Sequence, residues 1–206
     1  MKLGLFGGSF DPIHRGHIAP VQAARRELGL DRVLYLPTAV PPHKPGRILA
    51  PAHARYAMVE MALLDEEGLY ASTFELTLGR PAYTVETLEH FRRSQPPMPT
   101  IPDTELVLII GGDSYAELDH WVRWEEIPDL ARLAVLTRPG WTLEESSLSP
   151  ELAALARSGK VDFLRQPPVD ISSTRLRELF SKGAAPPPGT VPESVVRYVQ
   201  KYDLYR

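Results

Sequence analysis

The chain has 206 residues, of which 43% are hydrophobic, so it is long enough to bury a sizeable core as one α/β domain. Its formal net charge of -3, without a run of basic residues, argues against a surface built for nucleic acid or membrane but allows a local basic pocket for a small anion. It contains no cysteine, which excludes disulfide bonds, thiolate nucleophiles and cysteine-based zinc or iron–sulfur sites.

Six short segments rich in β-branched and aliphatic residues are predicted to be strands. In chain order they are Lys2–Phe6, Arg32–Leu36, Leu69–Phe74, Glu105–Ile110, Arg132–Thr137 and Val161–Leu164. The fourth contains the run LVLII, which is apolar enough to be buried on both faces of a sheet.

Longer segments with helical periodicity lie between these strands. The first ends at Gly29, a suitable C-terminal cap, and its apolar positions are Ile18, Val21, Ala24 and Leu28. The segment PAHARYAMVEMALL has Pro51 in a favoured first-turn position. Two further apolar stripes consist of Leu176, Leu179 and Phe180 and of Val195, Val196 and Val199.

The regular alternation of strands and helices predicts right-handed crossover connections and a mostly parallel sheet with helices on both faces. The predicted fold is therefore a Rossmann-like, doubly wound α/β domain over residues 1–206. Three proline-rich segments, PTAVPPHKPG, RSQPPMPTIPD and GAAPPPGTVP, are predicted to be surface loops rather than domain linkers. No apolar run of the sequence reaches membrane-spanning length, so a cytoplasmic location is expected.

The first predicted strand is followed by GGSF, residues 7–10. In doubly wound sheets, ligands bind at the carboxyl ends of the strands, and the first strand-to-helix turn is the usual phosphate site. Glycines such as Gly8 let backbone N–H groups approach a phosphate closely, and a helix that begins near Gly16 adds its positive end. The alternative is that the glycines only make a tight turn.

His14 and His17 lie three residues apart at the predicted helix start, so both project into the same crevice. One alternative is a partly buried structural histidine. Another is a metal pair, although no further histidine or cysteine lies nearby to complete a tetrahedral site. The third, which we favour, is a pair of imidazole donors that stabilise negative charge on a polyphosphate, because this role needs no further ligand.

A second anion site is predicted where a helix begins near residue 172. Ser172, Ser173 and Thr174 offer hydroxyls together with backbone N–H groups, and Arg177 follows one turn into the helix, where it is placed to hold phosphates. The alternative is an ordinary serine cap with arginines facing solvent, and we assign Arg175 to the surface.

These two regions carry a family resemblance. The segment GSFDPIHRGH (residues 8–17, the first signature) and the segment ISSTRLREL (residues 171–179, the second signature) resemble the two signatures of the nucleotidyltransferases with a His-x-Gly-His motif. Intermediate segments narrow the resemblance to the bacterial nicotinate mononucleotide adenylyltransferases; they are PPHK at 41–44, AYTVETL at 82–88, LIIGGDSYAELDHW at 108–121, TRPG at 137–140 and the closing VVRYVQKYDLY.

The resemblance implies adenylyl transfer from ATP to nicotinate mononucleotide, with Mg²⁺ present, giving deamido-NAD and pyrophosphate. It implies that the catalytic residues are His14, His17, Lys44 and Arg177. The ATP site would comprise Gly8, Ser9, Phe10, His14, His17, Gly111, Asp113, Arg138, Ser172, Ser173, Thr174 and Arg177, completed by residues 171–206. The nicotinate nucleotide would contact His43, Lys44, Tyr83, Thr84 and Trp121.

Several of these positions also have structural alternatives. Lys44 lies between prolines in a predicted loop and suits a substrate phosphate, with His43 beside it, although such a lysine is usually only solvated. Asp113 follows a buried strand and suits ribose hydroxyls or a helix N-cap. Trp121, two turns into a predicted helical segment, would by default be a core residue, whereas the resemblance has it stack on the nicotinate ring.

Other functions on the same fold are also compatible with the sequence. The enzymatic alternatives are pantetheine-phosphate adenylyltransferase, a cytidylyltransferase and an adenylyltransferase that prefers nicotinamide mononucleotide. A nucleotide-binding sensor without catalysis would lack a phosphate-handling residue, whereas His14, His17, Lys44 and Arg177 are all present. The expected partners are small molecules rather than nucleic acid or membrane, and a homo-oligomer is left open.

Overall fold

The computed structural model describes residues 1–39, 49–93, 104–137, 148–166, 169 and 171–206. Within these residues, six parallel strands form one sheet in the order β3-β2-β1-β4-β5-β6. The strands are β1 (Lys2–Gly8), β2 (Arg32–Pro37), β3 (Leu69–Ala71), β4 (Glu105–Gly111), β5 (Arg132–Thr137) and β6 (Val161–Arg165). The predicted Rossmann-like α/β fold is confirmed, and all six predicted strands are present.

Helices connect the strands in the described part of the chain. They are α1 (Arg15–Leu28), α2 (Ala52–Leu63), α3 (Phe74–Thr77), α4 (Thr84–Arg93), α5 (Gly112–Ala116), α6 (Ile127–Leu130), α7 (Pro150–Arg157), α8 (Ser173–Ser181) and α9 (Glu193–Lys201). Two short 3₁₀ segments span Leu118–His120 and Trp124–Glu126. As predicted, α1 ends at Gly29, whose φ of 63° is the left-handed conformation of a C-terminal cap.

Two predicted element boundaries are wrong. Pro51 precedes α2 as its N-cap instead of occupying the first turn, because its φ and ψ of -49° and 140° are not helical. Phe74 begins α3 instead of ending β3, which stops at Ala71. The hydroxyl of Ser72 accepts a hydrogen bond from the Phe74 N–H at 3.2 Å, and this bond turns the chain out of the edge strand.

The sheet is buried on both faces, and the residues of β4 show this most clearly. Val107 and Ile109 belong to the apolar cluster that contains α1, α2 and α9. Leu106, Leu108 and Ile110 belong to the cluster that contains α4 and the segment around Trp121. Because side chains alternate along a strand, the run LVLII supplies both layers, as its composition predicts.

The strand order places a ligand crevice between β1 and β4. β1 lies next to β2 on one side and β4 on the other. The connections that leave the carboxyl ends of β1 and β4 therefore separate, which opens the crevice typical of doubly wound sheets. Among the residues described above, no helix is both long enough and apolar enough to cross a membrane.

Candidate active site

A cavity of about 390 Å³ opens at the carboxyl ends of β1, β2 and β4. Its lining brings together predicted residues that are far apart in the sequence, namely Gly8, Ser9, Tyr83, Thr84, Gly111 and Trp121. Gly8 ends β1 and Ser9 follows it, and Tyr83 and Thr84 lie at the start of α4. Gly111 ends β4, and Trp121 lies in the segment beyond it. We refer to this space as the central cavity.

His14 and His17 cap the start of α1 with their side chains. The Gly16 N–H donates to His14 Nδ1 at 3.1 Å, and the His14 N–H donates to His17 Nδ1 at 3.3 Å. A neutral imidazole that accepts at Nδ1 carries its proton on Nε2. The cap therefore selects the tautomer in which both rings present an Nε2–H donor.

The two imidazoles are also fixed relative to each other. Their ring centroids lie 3.8 Å apart at an interplanar angle of 33°, and the ring of Phe10 contacts His17 edge-on at 5.3 Å. Phe10 itself is a core residue, only 1% exposed, so its side chain supports His17 instead of lining the cavity. The structural interpretation of the histidine pair is thus met, and it is compatible with the functional one, because the hydrogen bonds of the cap orient the rings.

Gly16 is required by this packing. A Cβ atom at position 16 would lie 2.9 Å from both Cε1 and Nδ1 of His14, which is closer than real Cβ contacts. Any side chain at this position would displace the His14 ring from its cap. The close approach of the His14 imidazole therefore explains why a glycine stands at position 16 of the first signature.

The second signature packs directly against the first. Ser172 is the N-cap of α8, where its hydroxyl accepts from the Arg175 N–H at 3.2 Å. Ser173 donates to the carbonyl oxygen of Pro12 at 3.0 Å, so the starts of α1 and α8 lie together. Two helix N-termini are therefore neighbours, and the free N–H groups at a helix start are suited to an anion.

Arg177 is held in place by the first signature and by its own helix. Its Nη1 donates to the carbonyl oxygen of Asp11 at 2.7 Å, and its Nη2 donates to Thr174 Oγ1 at 3.1 Å. Its side chain is only 18% exposed, whereas Arg175 is exposed as expected. The alternative in which Arg177 faces solvent is therefore wrong.

The residues after β4 depart from the prediction in two respects. Gly111, and not Asp113, is the N-cap of α5; Asp113 is exposed in the first turn. Trp121 is not two turns inside a helix, because α5 ends at Ala116 and a 3₁₀ segment over Leu118–His120 follows it. Trp121 caps that segment in an extended conformation, packs on the core with part of its ring and lines the central cavity.

Tyr83 and Thr84 lie at the start of α4, on the wall of the central cavity. Thr84 is the first residue of α4, and Tyr83, 38% exposed, precedes it on the cavity wall. The first N–H groups of a helix have no backbone partner within it; the Tyr83 N–H donates to the Glu86 carboxylate, and the N–H groups after it are the donors that this turn offers to a ligand. Ala82 and Val122 also line the cavity.

Glu75 is a cavity residue that sequence reasoning missed. It is 8% exposed, and its carboxylate accepts a hydrogen bond from Thr87 Oγ1 at 3.3 Å. Burial raises the pKa of Glu75 to about 7, against the opposing effect of hydrogen bonds from Thr87 and Thr38. No sequence signal identifies it, because a single glutamate in a short polar segment is normally exposed.

We expect Glu75 to reduce the free energy of unfolding as the pH rises from 4.5 to about 7. The unfolded chain releases this proton near its ordinary pKa of 4.5, whereas the folded protein retains it until about pH 7. The contribution of Glu75 to the free energy of unfolding is therefore complete below pH 4.5, and it falls by up to about 3 kcal/mol between pH 4.5 and about 7.

The test compares the Tm of the wild type and of Glu75→Gln at several pH values across this range and above it. The variant should be the less pH-dependent of the two and should gain stability relative to the wild type above neutral pH. Glu117→Gln, at an exposed carboxylate on the cavity wall, is the matched control and should follow the wild type. Parallel curves for the wild type and Glu75→Gln would contradict the assignment.

Arg55 is the second residue that sequence reasoning missed. Although it is an arginine within a helix, it is only 1% exposed. Its guanidinium donates to the carbonyl oxygens of Ser9 at 2.7 Å, Thr38 at 2.7 Å and Ala50 at 2.9 Å. It thereby ties the turn after β1 to the end of β2 and to the start of α2.

Three predicted site residues lie outside the described residues. His43 and Lys44 fall within 40–48, and Arg138 falls within 138–147. Among the residues that the structure does describe, no group of three or more histidine, aspartate or glutamate side chains is arranged to hold a metal ion.

Comparison with known proteins gives consistent findings. Residues 5–179 match the family model described as cytidylyltransferase-like. A protein of Thermus thermophilus named "Probable nicotinate-nucleotide adenylyltransferase" is 40% identical over 206 residues, which is 100% of each chain. A protein of Aeromonas hydrophila with the same name is 37% identical over 99% of this chain and 97% of its own.

Solved structures show the same fold at lower identity. The nicotinic acid mononucleotide adenylyltransferase of Plasmodium falciparum complexed with NaAD has a TM-score of 0.78 and 17% identity, covering 99% of this chain and 97% of that one. The same enzyme complexed with APC has a TM-score of 0.76, with 99% and 96% covered. At this identity the likeness shows the fold alone.

Proposed function

Because this chain belongs to the cytidylyltransferase-like family and, within it, to the nicotinate-nucleotide adenylyltransferases, we propose that it transfers the adenylyl group of ATP to nicotinate mononucleotide. A phosphate oxygen of the mononucleotide forms a bond to the α-phosphorus of ATP. The bond from that phosphorus to the bridging oxygen breaks, and its electron pair leaves with pyrophosphate. The nucleophile is already ionised at neutral pH, so alignment and electrostatic stabilisation suffice without a general base.

The observation that carries this proposal is the packing of the second signature against the first, whose Gly8 and Ser9 line the central cavity. Ser173 of α8 donates to the carbonyl oxygen of Pro12, just before α1, so the two helix starts lie side by side. The Nε2–H groups of His14 and His17 add donors of fixed tautomer at the same place. Such pre-oriented donors are suited to negative charge that grows on a phosphate during transfer.

The phosphates that leave as pyrophosphate are assigned to the start of α8. The backbone donors and hydroxyls of Ser172 and Thr174 and the guanidinium of Arg177 supply that site. Gly8 and Ser9, together with Gly111 and Asp113, are proposed for the rest of ATP. Arg138 is proposed for ATP and Lys44 with His43 for the substrate phosphate, on the basis of the family resemblance.

The nicotinate moiety is assigned to the central cavity. Trp121 offers a half-buried aromatic face for stacking, and the turn at Tyr83 and Thr84 offers N–H donors for a carboxylate. A cavity with an aromatic wall and a few polar groups is typical of small-molecule sites.

Magnesium is proposed as part of the ATP co-substrate. The described residues supply imidazole and guanidinium donors to the proposed phosphates, and among them no group of three or more histidine, aspartate or glutamate side chains is arranged to hold the ion. When bound, Mg²⁺ would neutralise part of the phosphate charge. We further propose that the enzyme works in the cytoplasm on small soluble substrates.

The variant Arg177→Ala is expected to weaken ATP binding by roughly tenfold or more, because charge-assisted hydrogen bonds to a phosphate are among the strong ones. The affinity for nicotinate mononucleotide should change by less than about twofold, since the arginine is assigned to the departing phosphates. Calorimetric titration with each ligand measures both effects. Arg175→Ala, at an exposed arginine of the same helix, is the matched control. Equal losses for the two ligands would contradict the placement.

The function is tested by supplying ATP and magnesium with nicotinate mononucleotide or with phosphopantetheine and following pyrophosphate. Pyrophosphate with the first acceptor only is the expected result. Replacing ATP by CTP tests the cytidylyltransferase alternative in the same assay. Turnover that is faster with phosphopantetheine or with CTP would overturn the proposal.

A further inference from the structure

The segment that follows α9 folds back onto the first signature. Tyr205 Oη donates a hydrogen bond to Asp11 Oδ1 at 2.9 Å, across 194 positions of sequence. The ring of Tyr205 stacks against Phe180 of α8, with the centroids 6.1 Å apart and the planes at 22°. Tyr205 thus contacts both elements that carry the proposed phosphate site.

Asp11 is a buried carboxylate whose two oxygens have different surroundings. It is 1% exposed, and its Oδ1 accepts from the Ala50 N–H at 3.1 Å as well as from Tyr205. Its Oδ2 faces Arg177 Nη1 at 3.7 Å and accepts no hydrogen bond within the described part of the chain. The two donors to Oδ1 therefore determine how Oδ2 is presented to the guanidinium.

The charges around Asp11 favour an anion nearby. Arg177 forms an ion pair with Asp11, and the Asp11 carboxylate also acts on the buried guanidinium of Arg55, whose pKa is lowered by burial and raised again by this charge. Two guanidinium groups thus share one carboxylate. A positive charge remains partly uncompensated at low dielectric, where an approaching phosphate group is attracted strongly.

Tyr205 is suited to act as a permanent donor. Burial, followed in importance by the charge of Asp11, raises the pKa of Tyr205 far above its ordinary value. The hydroxyl therefore keeps its proton throughout the working pH range and donates to the carboxylate. Without it, Oδ1 would retain only the bond from Ala50, and the carboxylate would be free to rotate toward other partners.

We infer that Tyr205 is a positioning residue for adenylyl transfer: through Asp11 it sets the orientation of Arg177 for the phosphates of ATP. This inference rests on the proposed function, in which Arg177 holds the departing phosphates. Tyr205 itself touches no reacting atom in this scheme. Its effect should therefore appear in the use of ATP and not in the use of the nicotinate nucleotide.

The first test is Tyr205→Phe, which keeps the ring that packs on Phe180 and removes only the hydroxyl. The KM for ATP is expected to rise roughly five- to tenfold, because one hydrogen bond to a buried carboxylate is lost. The KM for nicotinate mononucleotide should stay within about twofold. Tyr202→Phe, at a 55% exposed tyrosine of the same segment, is the matched control and should leave both constants unchanged.

The second test asks whether the effect passes through Arg177. If it does, adding Tyr205→Phe to Arg177→Ala should produce no further loss in kcat/KM for ATP beyond about twofold. A fall in kcat/KM for ATP in the double variant by the product of the two single-variant fold-losses would overturn the inference. So would an equal rise of both KM values in Tyr205→Phe, or a lowered Tm with unchanged kinetics.

A third measurement separates this inference from the proposed function. Calorimetric titration with ATP alone, without an acceptor, should show the same roughly five- to tenfold weakening in Tyr205→Phe. If the wild type transferred no adenylyl group to nicotinate mononucleotide, the proposed acceptor would be wrong, and the ATP titrations would still decide the role of Tyr205. Unchanged ATP affinity in Tyr205→Phe would overturn that role whatever the acceptor.

Discussion

The variant His17→Ala is expected to lose at least about 10²-fold in kcat while it remains folded, because it removes one pre-oriented donor to the charge that develops in the transition state. The donor in question is Nε2–H, whose tautomer is selected by the bond from the His14 N–H to His17 Nδ1. The rate is measured as pyrophosphate released at saturating ATP and nicotinate mononucleotide. The folded state is verified by the Tm of the variant.

The capping role of His17 requires a control, because its loss alone would cost about 1 kcal/mol of stability. His17→Gln keeps a side-chain acceptor at this helix position, as the usual capping box does, but removes the imidazole. We expect it to regain stability and not turnover. His53→Ala, at an exposed histidine of α2, should behave as the wild type. Turnover of folded His17→Ala within about threefold of the wild type would refute the assignment.

The second large effect expected is a preference for nicotinate mononucleotide over its amide analogue, of about 10²-fold in kcat/KM. The turn at Tyr83 and Thr84 opens the ten-residue helix α4 and lines the central cavity. The Tyr83 N–H already donates to the Glu86 carboxylate, so the N–H groups of Thr84 and the residue after it are the donors from which the oxygens of a substrate carboxylate can accept. An amide presents one acceptor and an NH₂ group, which leaves a donor unpaired at a cost of roughly 1 to 3 kcal/mol.

Both substrates are compared at saturating ATP and magnesium. Trp121→Ala is the control, since the loss of stacking should reduce kcat/KM for the acid and the amide alike. Ala82 and Val122 line the same cavity and contribute only aliphatic side chains around the ring. Equal efficiency with the two substrates would show that the carboxylate is not recognised at this turn.

The elements that the sequence predicts well are those specified by neighbouring residues. The continuous apolar run LVLII predicted a doubly buried strand, and β4 divides its residues between two core clusters. The glycine after α1 and the serine before α8 predicted helix ends, and both are caps in the structure. These signals are local, because periodicity and capping depend on residues within about one turn of each other.

The prediction fails where a neighbouring segment overrides a local preference. Phe74 has strand character, yet the Ser72 hydroxyl turns the chain into α3 before it. The segment before Trp121 has helical character, yet α5 ends after five residues and a 3₁₀ segment follows. The histidine caps were also missed as caps, since histidine is rarely counted among N-cap residues.

By itself, then, the sequence determined the alternation of strands and helices, the two helix starts that favour anions, and the residue types that serve them. Only the tertiary structure decided which distant groups adjoin the candidate site: Glu75 in the cavity wall, Arg55 bonded to Ser9 of the first signature, and Tyr205 bonded to Asp11. The physical reason is that a charged or hydroxyl side chain is expected at the surface unless hydrogen bonds or an opposite charge offset the free-energy cost of its desolvation. Those partners lie up to 194 positions away in the sequence, so a pattern of neighbouring residues does not predict them.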